Sequence, residues 1–159
     1  MYKIGDKIVY PMHGAGTIEA IEEKEVLGVK KQYYILSLLF GSMKVFIPTV
    51  NCKEIGLREV ISSEEVKEVI CVLQKDEPKG VLVNWNRRYR ANLEKMRTGN
   101  IYEIAEVVRN LARREQEKGL SAGEKKMLEN ARQILISEFA LAKEIEKDKA
   151  QLLIDNAFA

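Results

Sequence analysis

The spacing of apolar and polar positions changes period once along the chain. Lys7-Ile8-Val9-Tyr10 stops at Pro11, which suits a strand end because proline lacks a backbone donor. Thr17-Ile18-Glu19-Ala20-Ile21-Glu22 follows period two, as a half-buried strand does. Gly28 marks a turn before a strand over Gln32 to Leu38 that holds Tyr33, Tyr34, Ile35 and Leu36. Phe40-Gly41-Ser42 is a second turn, and Met43 to Ile47 is a further strand closed by Pro48. Short strands parted by glycine turns predict a small antiparallel barrel or a strongly bent sheet. A core drawn from about 50 residues is only modestly stable by itself.

From about residue 62 the period becomes helical. Ser62 precedes Glu65 at capping-box spacing, and Val66, Val69, Ile70 and Leu73 then share one face. Pro78 and Gly80 end that helix. Asn84 is an N-cap candidate for a segment running to about Met96, and Gly99 breaks the pattern again. Ile101, Ile104, Ala105, Val108, Leu111 and Ala112 mark a third amphipathic helix, ended by Gly119. Ser121 and Glu124 repeat the capping-box spacing ahead of a long helix with Leu128, Ala131, Leu135 and Phe139 inward and a break expected near Ser137. Leu152, Leu153 and Ile154 suggest a last short helix. The expected organisation is α+β in two domains. A β module spans residues 1–58, a connector covers about residues 49–61, and an all-helical module spans residues 62–159.

Composition excludes several classes. The chain has 159 residues, 46% of them hydrophobic and 31% charged, which is ordinary globular usage. No apolar run approaches membrane-spanning length, and the N-terminal residues MYKIGDKIVYP show no signal-peptide pattern, so a cytoplasmic protein is expected. Cys52 and Cys71 form no CxxC pair, which argues against a disulfide scaffold or a cysteine zinc site. His13 is the only histidine, too few for a histidine metal site, and no serine or cysteine stands in a nucleophile setting. Gly14-Ala15-Gly16 lacks the rest of a phosphate-binding fingerprint and reads as a tight turn. Carboxylates such as Glu115 and Glu144 sit beside Lys118 and Lys147 and read as solvated helix faces. No enzyme, cofactor or metal site is expected.

Charge is informative in one place. The net charge is only +2, yet residues 81–99 hold five basic side chains and one acidic one. This stretch contains the single tryptophan, in Asn84-Trp85-Asn86-Arg87-Arg88-Tyr89-Arg90. On a helix, Trp85, Tyr89 or Arg88, Asn92 and Met96 share a stripe, while Arg87, Arg90, Glu94 and Arg97 fan across other faces. Arginines reach phosphates, and an exposed ring beside them can stack on or wedge against bases. Spacing alone leaves Trp85 equally readable as a core anchor.

Val9-Tyr10-Pro11 with His13-Gly14, Asn84-Trp85 to Leu93-Glu94-Lys95, Ala105-Glu106-Val107-Val108-Arg109, and Gly119-Leu120-Ser121-Ala122-Gly123-Glu124-Lys125 occur in the order found in the CarD/CdnL family of bacterial RNA polymerase-binding regulators, which the whole chain resembles. The resemblance implies a Tudor-like N-terminal domain, shared with transcription-repair coupling factor, that docks on the RNA polymerase β subunit partly by strand-edge addition. It implies polymerase contacts at Lys24, Lys44, Phe46 and Pro48, with Phe46 standing where some members carry a second arginine. It implies that Trp85 wedges into the minor groove at the upstream fork of the transcription bubble, with Arg87, Arg88 and Arg90 on the DNA, without sequence specificity. The rival readings are an adaptor joining polymerase to another protein through the helical module, and a free-standing nucleic-acid binder. A monomer is expected, with strand exchange the route to a domain-swapped dimer.

Overall fold

The computed structural model describes residues 1–50, 52–76 and 84–158. Five strands form one antiparallel sheet: β1 (Lys7–Tyr10), β2 (Gly14–Val26), β3 (Val29–Leu38), β4 (Lys44–Pro48) and β5 (Arg58–Glu59), in the order β4-β3-β2-β1-β5. The β2–β3 hairpin turns on Leu27 and Gly28 alone, with φ of 53° and 79°. Two left-handed residues give the backward turn that matches strand twist, and Gly28 takes its position without strain. The β2–β3 register slips between Ile18 and Ala20, a bulge that bends the sheet. The expected strongly bent antiparallel sheet is therefore present, with β4 and β5 as its edges.

Alternation sets two faces. Ile8, Ile18, Tyr34, Leu36 and Ile47 fill a small core closed by Leu57. On the opposite face Lys24, Ile35, Lys44, Phe46 and Pro48 point away from that core, as their registers require. β1 and β2 are covered on this side too, where Val9 and Ala15 are buried.

The connector is more ordered than its sequence suggests. It holds the short helix α1 (Cys52–Ile55) and then β5, which pairs with β1. A boundary drawn after residue 58 therefore cuts the edge strand. Two residues are too few to show a period, so only pairing reveals it.

The helical region comprises α2 (Glu65–Gln74), α3 (Trp85–Thr98), α4 (Ile101–Glu117), α5 (Ala122–Lys143) and α6 (Lys147–Ala157). Val66, Val69, Leu73, Ile104, Val108, Leu111, Ala131, Leu135 and Phe139 meet in its core, as their spacing predicts, whereas Ile70 and Leu128 stay half-buried at its edge. Three caps behave as the spacing predicts. Ser62 Oγ accepts from Glu65 N, Asn84 Oδ1 from Asn86 N, and Ser121 Oγ from Glu124 N. The break assigned to Pro78 and Gly80 lies outside the described residues.

α5 runs 22 residues without the break expected near Ser137. The Ser137 hydroxyl donates to Ile134 O at 2.6 Å and accepts Ala15 N at 2.9 Å. Satisfied within its own turn and by the sheet, it has no reason to interrupt the helix. Glu144 and Lys147 do not simply face solvent as a pair. Lys7 reaches Glu144 at 3.1 Å, and Lys147 lies over the Phe40 ring and donates to Leu39 O.

Candidate nucleic-acid interface and sheet docking face

α3 begins immediately after its cap. Asn84 Oδ1 also receives Arg87 N at 3.3 Å, which fixes the first turn and hence the direction of Trp85. Trp85 is 44% exposed. Its ring stacks on Tyr89, one turn later, at 5.3 Å between centroids and 16° between planes. Its indole Nε1 donates to Ser121 Oγ at 3.1 Å. The ring is thus neither a core anchor nor a loose side chain. One edge is held and part of its surface is open.

Ser121 is the junction of a longer chain of contacts. Its hydroxyl accepts from Trp85 and Glu124 N and donates to Glu124 Oε1 at 3.2 Å. Glu124 is buried, and its Oε2 receives Arg88 Nε at 2.9 Å. Burial pushes the Glu124 carboxyl up, but the Arg88 hydrogen bond and charge, aided by Ser121, hold it below its ordinary value.

One expected contact lies inward: Arg88 is buried and ion-paired with Glu124. It shares the inward stripe with Asn92 and Met96, and Glu124 stands there to receive it. Arg87 and Arg90 are exposed, and neither makes an ion pair among the described residues. Of the expected contacts on α3, Trp85, Arg87 and Arg90 are the exposed ones. The first turn of α5, drawn alongside by the Trp85–Ser121 bond, adds exposed Lys125 and Lys126. Sequence reasoning saw Ser121 and Glu124 only as a capping box. The same spacing was the available signal that a hydroxyl would stand at a helix start.

The residues expected on the polymerase side lie together on the outward sheet face and its β4 edge. Lys24 Nζ sits 3.5 Å above the Phe46 ring centroid, and Phe46 is 47% exposed. Lys44 pairs with Glu19 at 2.8 Å. Pro48 closes β4 and is half-buried. Lys44, Phe46 and Pro48 alternate along a strand whose outer backbone edge has no partner strand among the described residues. Such an edge accepts an added strand.

Residues 2–61 match the family model for the CarD-like/TRCF RID domain, and residues 68–155 match that for the CarD C-terminal domain. The chain is 48% identical over 145 residues to a protein of Bacillus subtilis (strain 168) named "Putative transcription factor YdeB". That match covers 91% of this chain and 94% of the relative. The chain belongs to the CarD family. The first CarD segment ends just beyond β5, so it takes in the whole sheet, and the second begins within α2. His13, within the first CarD segment, donates its backbone N–H to Tyr10 O and lies beside the Tyr10 ring, a turn residue as expected. No helix among the described residues is long and apolar enough to cross a membrane.

Proposed function

We propose that this CarD-family protein is a transcription regulator that docks on the RNA polymerase β subunit through its sheet and stabilises the open promoter complex. Trp85 acts at the upstream fork of the bubble, and Arg87 and Arg90 contact the DNA backbone. The observation that carries this reading is Trp85 itself, a half-exposed ring at a helix start, stacked on Tyr89 and hydrogen-bonded to Ser121, with two exposed arginines within two turns. A ring held in place loses little freedom on insertion, so its contact with an unstacked base step appears as binding rather than as ordering.

The modest net charge of +2 fits a tethered factor. Attachment to polymerase supplies a high local concentration, so strong duplex affinity is unnecessary. What matters is differential affinity for the open fork over closed duplex, because only that shifts the equilibrium. One stacked ring contributes about 1–3 kcal/mol, roughly a 5- to 150-fold shift. A wedge of this kind needs no group that reads base edges, so response differs between promoters through their own opening kinetics.

The test is the lifetime of open promoter complexes with polymerase from the same source. Wild type should lengthen it, and Trp85→Ala should not, while both bind the β subunit equally. Equal lifetimes with bound wild type and bound Trp85→Ala would leave a polymerase adaptor and remove the wedge. Absence of polymerase binding would remove the reading altogether.

A further inference from the structure

A wedge carried by a tethered factor works best when tether and wedge keep a fixed separation, because effective concentration at the fork is then highest. One helix touches both. Near its start α5 holds Trp85 through Ser121, and Arg88 through Glu124. Further along, the same helix holds the sheet. Glu138, with no exposed side-chain surface, receives both terminal nitrogens of Arg58 on β5 at 2.7 Å and the backbone N–H of Ile61 at 2.9 Å. Arg58 Nε donates to Gly99 O, at the C-cap of α3, at 2.9 Å. One guanidinium therefore joins the sheet, α5 and the end of the helix that begins with Trp85. Around it the backbones close tightly. Pro11 lies between Gly56 and Gly99, where a Cβ on either glycine would stand 3.1 Å from the proline ring.

We propose that Arg58 and Glu138 are positioning residues, and that α5 acts as a rigid spacer fixing Trp85 relative to the docking sheet. This rests on the reading of Trp85 and the sheet given above. The planar fork of Arg58 matters because it makes directed bonds to two partners at once, which a lysine ammonium cannot reproduce in the same geometry. Glu124 and Glu138 lie fourteen positions apart on an unbroken helix, a span of roughly 20 Å.

The experiment pairs a distance measurement with the lifetime assay. Spin labels are placed at Lys30→Cys on the sheet and Glu94→Cys on α3, with Cys52→Ser and Cys71→Ser in the background. Arg58→Gln is compared with wild type, and Arg58→Lys serves as the milder variant if Arg58→Gln fails to fold. The unlabelled variants are assayed for polymerase binding and open-complex lifetime, with Trp85→Ala as reference. The expected result is a broadened or displaced distance distribution and unchanged polymerase affinity. The lifetime gain should fall by about threefold or more, as loss of a defined geometry lowers effective concentration at the fork. An unchanged distance distribution in a folded variant would overturn the proposal. So would a broadened distribution with a wild-type lifetime, while Trp85→Ala still loses its effect. If Trp85→Ala keeps the full lifetime, the wedge reading itself fails and the spacer role falls with it.

Discussion

Trp85 and Phe46 both stand about half-exposed, and they are held in different ways. Trp85 is fixed from two directions, by the Tyr89 ring beside it and by the Ser121 hydroxyl at its indole nitrogen. Phe46 projects from an edge strand and is covered on one side by Lys24, a long side chain able to swing away. The first arrangement suits a ring inserted with its orientation already set. The second suits a ring that becomes fully covered only when a partner arrives, when Lys24 is free to seek a carboxylate on that partner. Rigidity sits at the proposed DNA contact and adaptability at the proposed protein contact.

The largest effect expected from breaking this contrast is on stability. Arg88→Ala leaves Glu124 buried and unpaired, which costs about 3–5 kcal/mol, whereas Arg90→Ala removes an exposed charge and changes stability by less than about 0.5 kcal/mol. Thermal or urea unfolding of the two variants measures the difference. A pH signature accompanies it. The Glu124 carboxyl is held below its ordinary value in the folded chain, so its contribution is present above that ordinary value and is lost as pH falls through the lowered one. Without Arg88, burial pushes the Glu124 carboxyl up, so the stability gap between Arg88→Ala and wild type should narrow as pH falls and Glu124 takes up a proton. Similar acid curves for Arg88→Ala and Arg90→Ala would make Arg88 as peripheral as Arg90.

Next in size is the functional effect of Ser121. Ser121→Ala removes the indole's partner together with a helix cap worth about 1 kcal/mol. Ser121→Thr keeps a hydroxyl that accepts from both and still donates to Glu124. Trp85 emission should shift to the red in Ser121→Ala and stay close to wild type in Ser121→Thr, and open-complex lifetime should follow the same order. Matching spectra in all three proteins would mean that stacking on Tyr89 alone holds the ring. Removing Phe46 should act elsewhere. Phe46→Ala should weaken polymerase binding by about tenfold, as loss of an anchor of roughly 1–2 kcal/mol does, with Trp85 fluorescence unchanged.

How far these features were legible in the sequence depends on the range of the interaction that sets them. The β2–β3 hairpin is local, and Gly28 announced it. The caps at Ser62, Asn84 and Ser121 are local, and their spacing was enough. The inward placement of Arg88 is not legible because it depends on Glu124, 36 positions away, and three neighbouring arginines look alike until that partner is known. Its inward stripe continues through Asn92 to Met96, so polar residues hid the buried face from an argument built on hydrophobic period. Glu138 was hidden in the same way, since a carboxylate in a helix reads as solvated until Arg58 is found against it. The break assigned to Ser137 failed because serine's helix-weakening tendency is offset here by a bond to the sheet.

The smallest effect concerns the exposed arginines, and it separates them from Arg88 most directly. A side chain that neutralises one phosphate releases roughly one condensed counterion, so its removal lowers the salt dependence of a DNA-linked equilibrium by about one unit of slope. Arg87→Ala and Arg90→Ala should each reduce the slope of log lifetime against log salt by about one or less, and the double variant by about their sum. The comparison variant is one that keeps the Arg88 site filled without charge, Arg88→Met with Glu124→Leu. Replacing a buried pair by apolar residues of similar volume can leave a fold stable. If that double variant folds and keeps the wild-type salt slope while Arg90→Ala does not, charge at position 88 works inside the protein and charge at position 90 works on the DNA. A flattened slope in the apolar variant would return Arg88 to the DNA contact, despite its burial in the free protein.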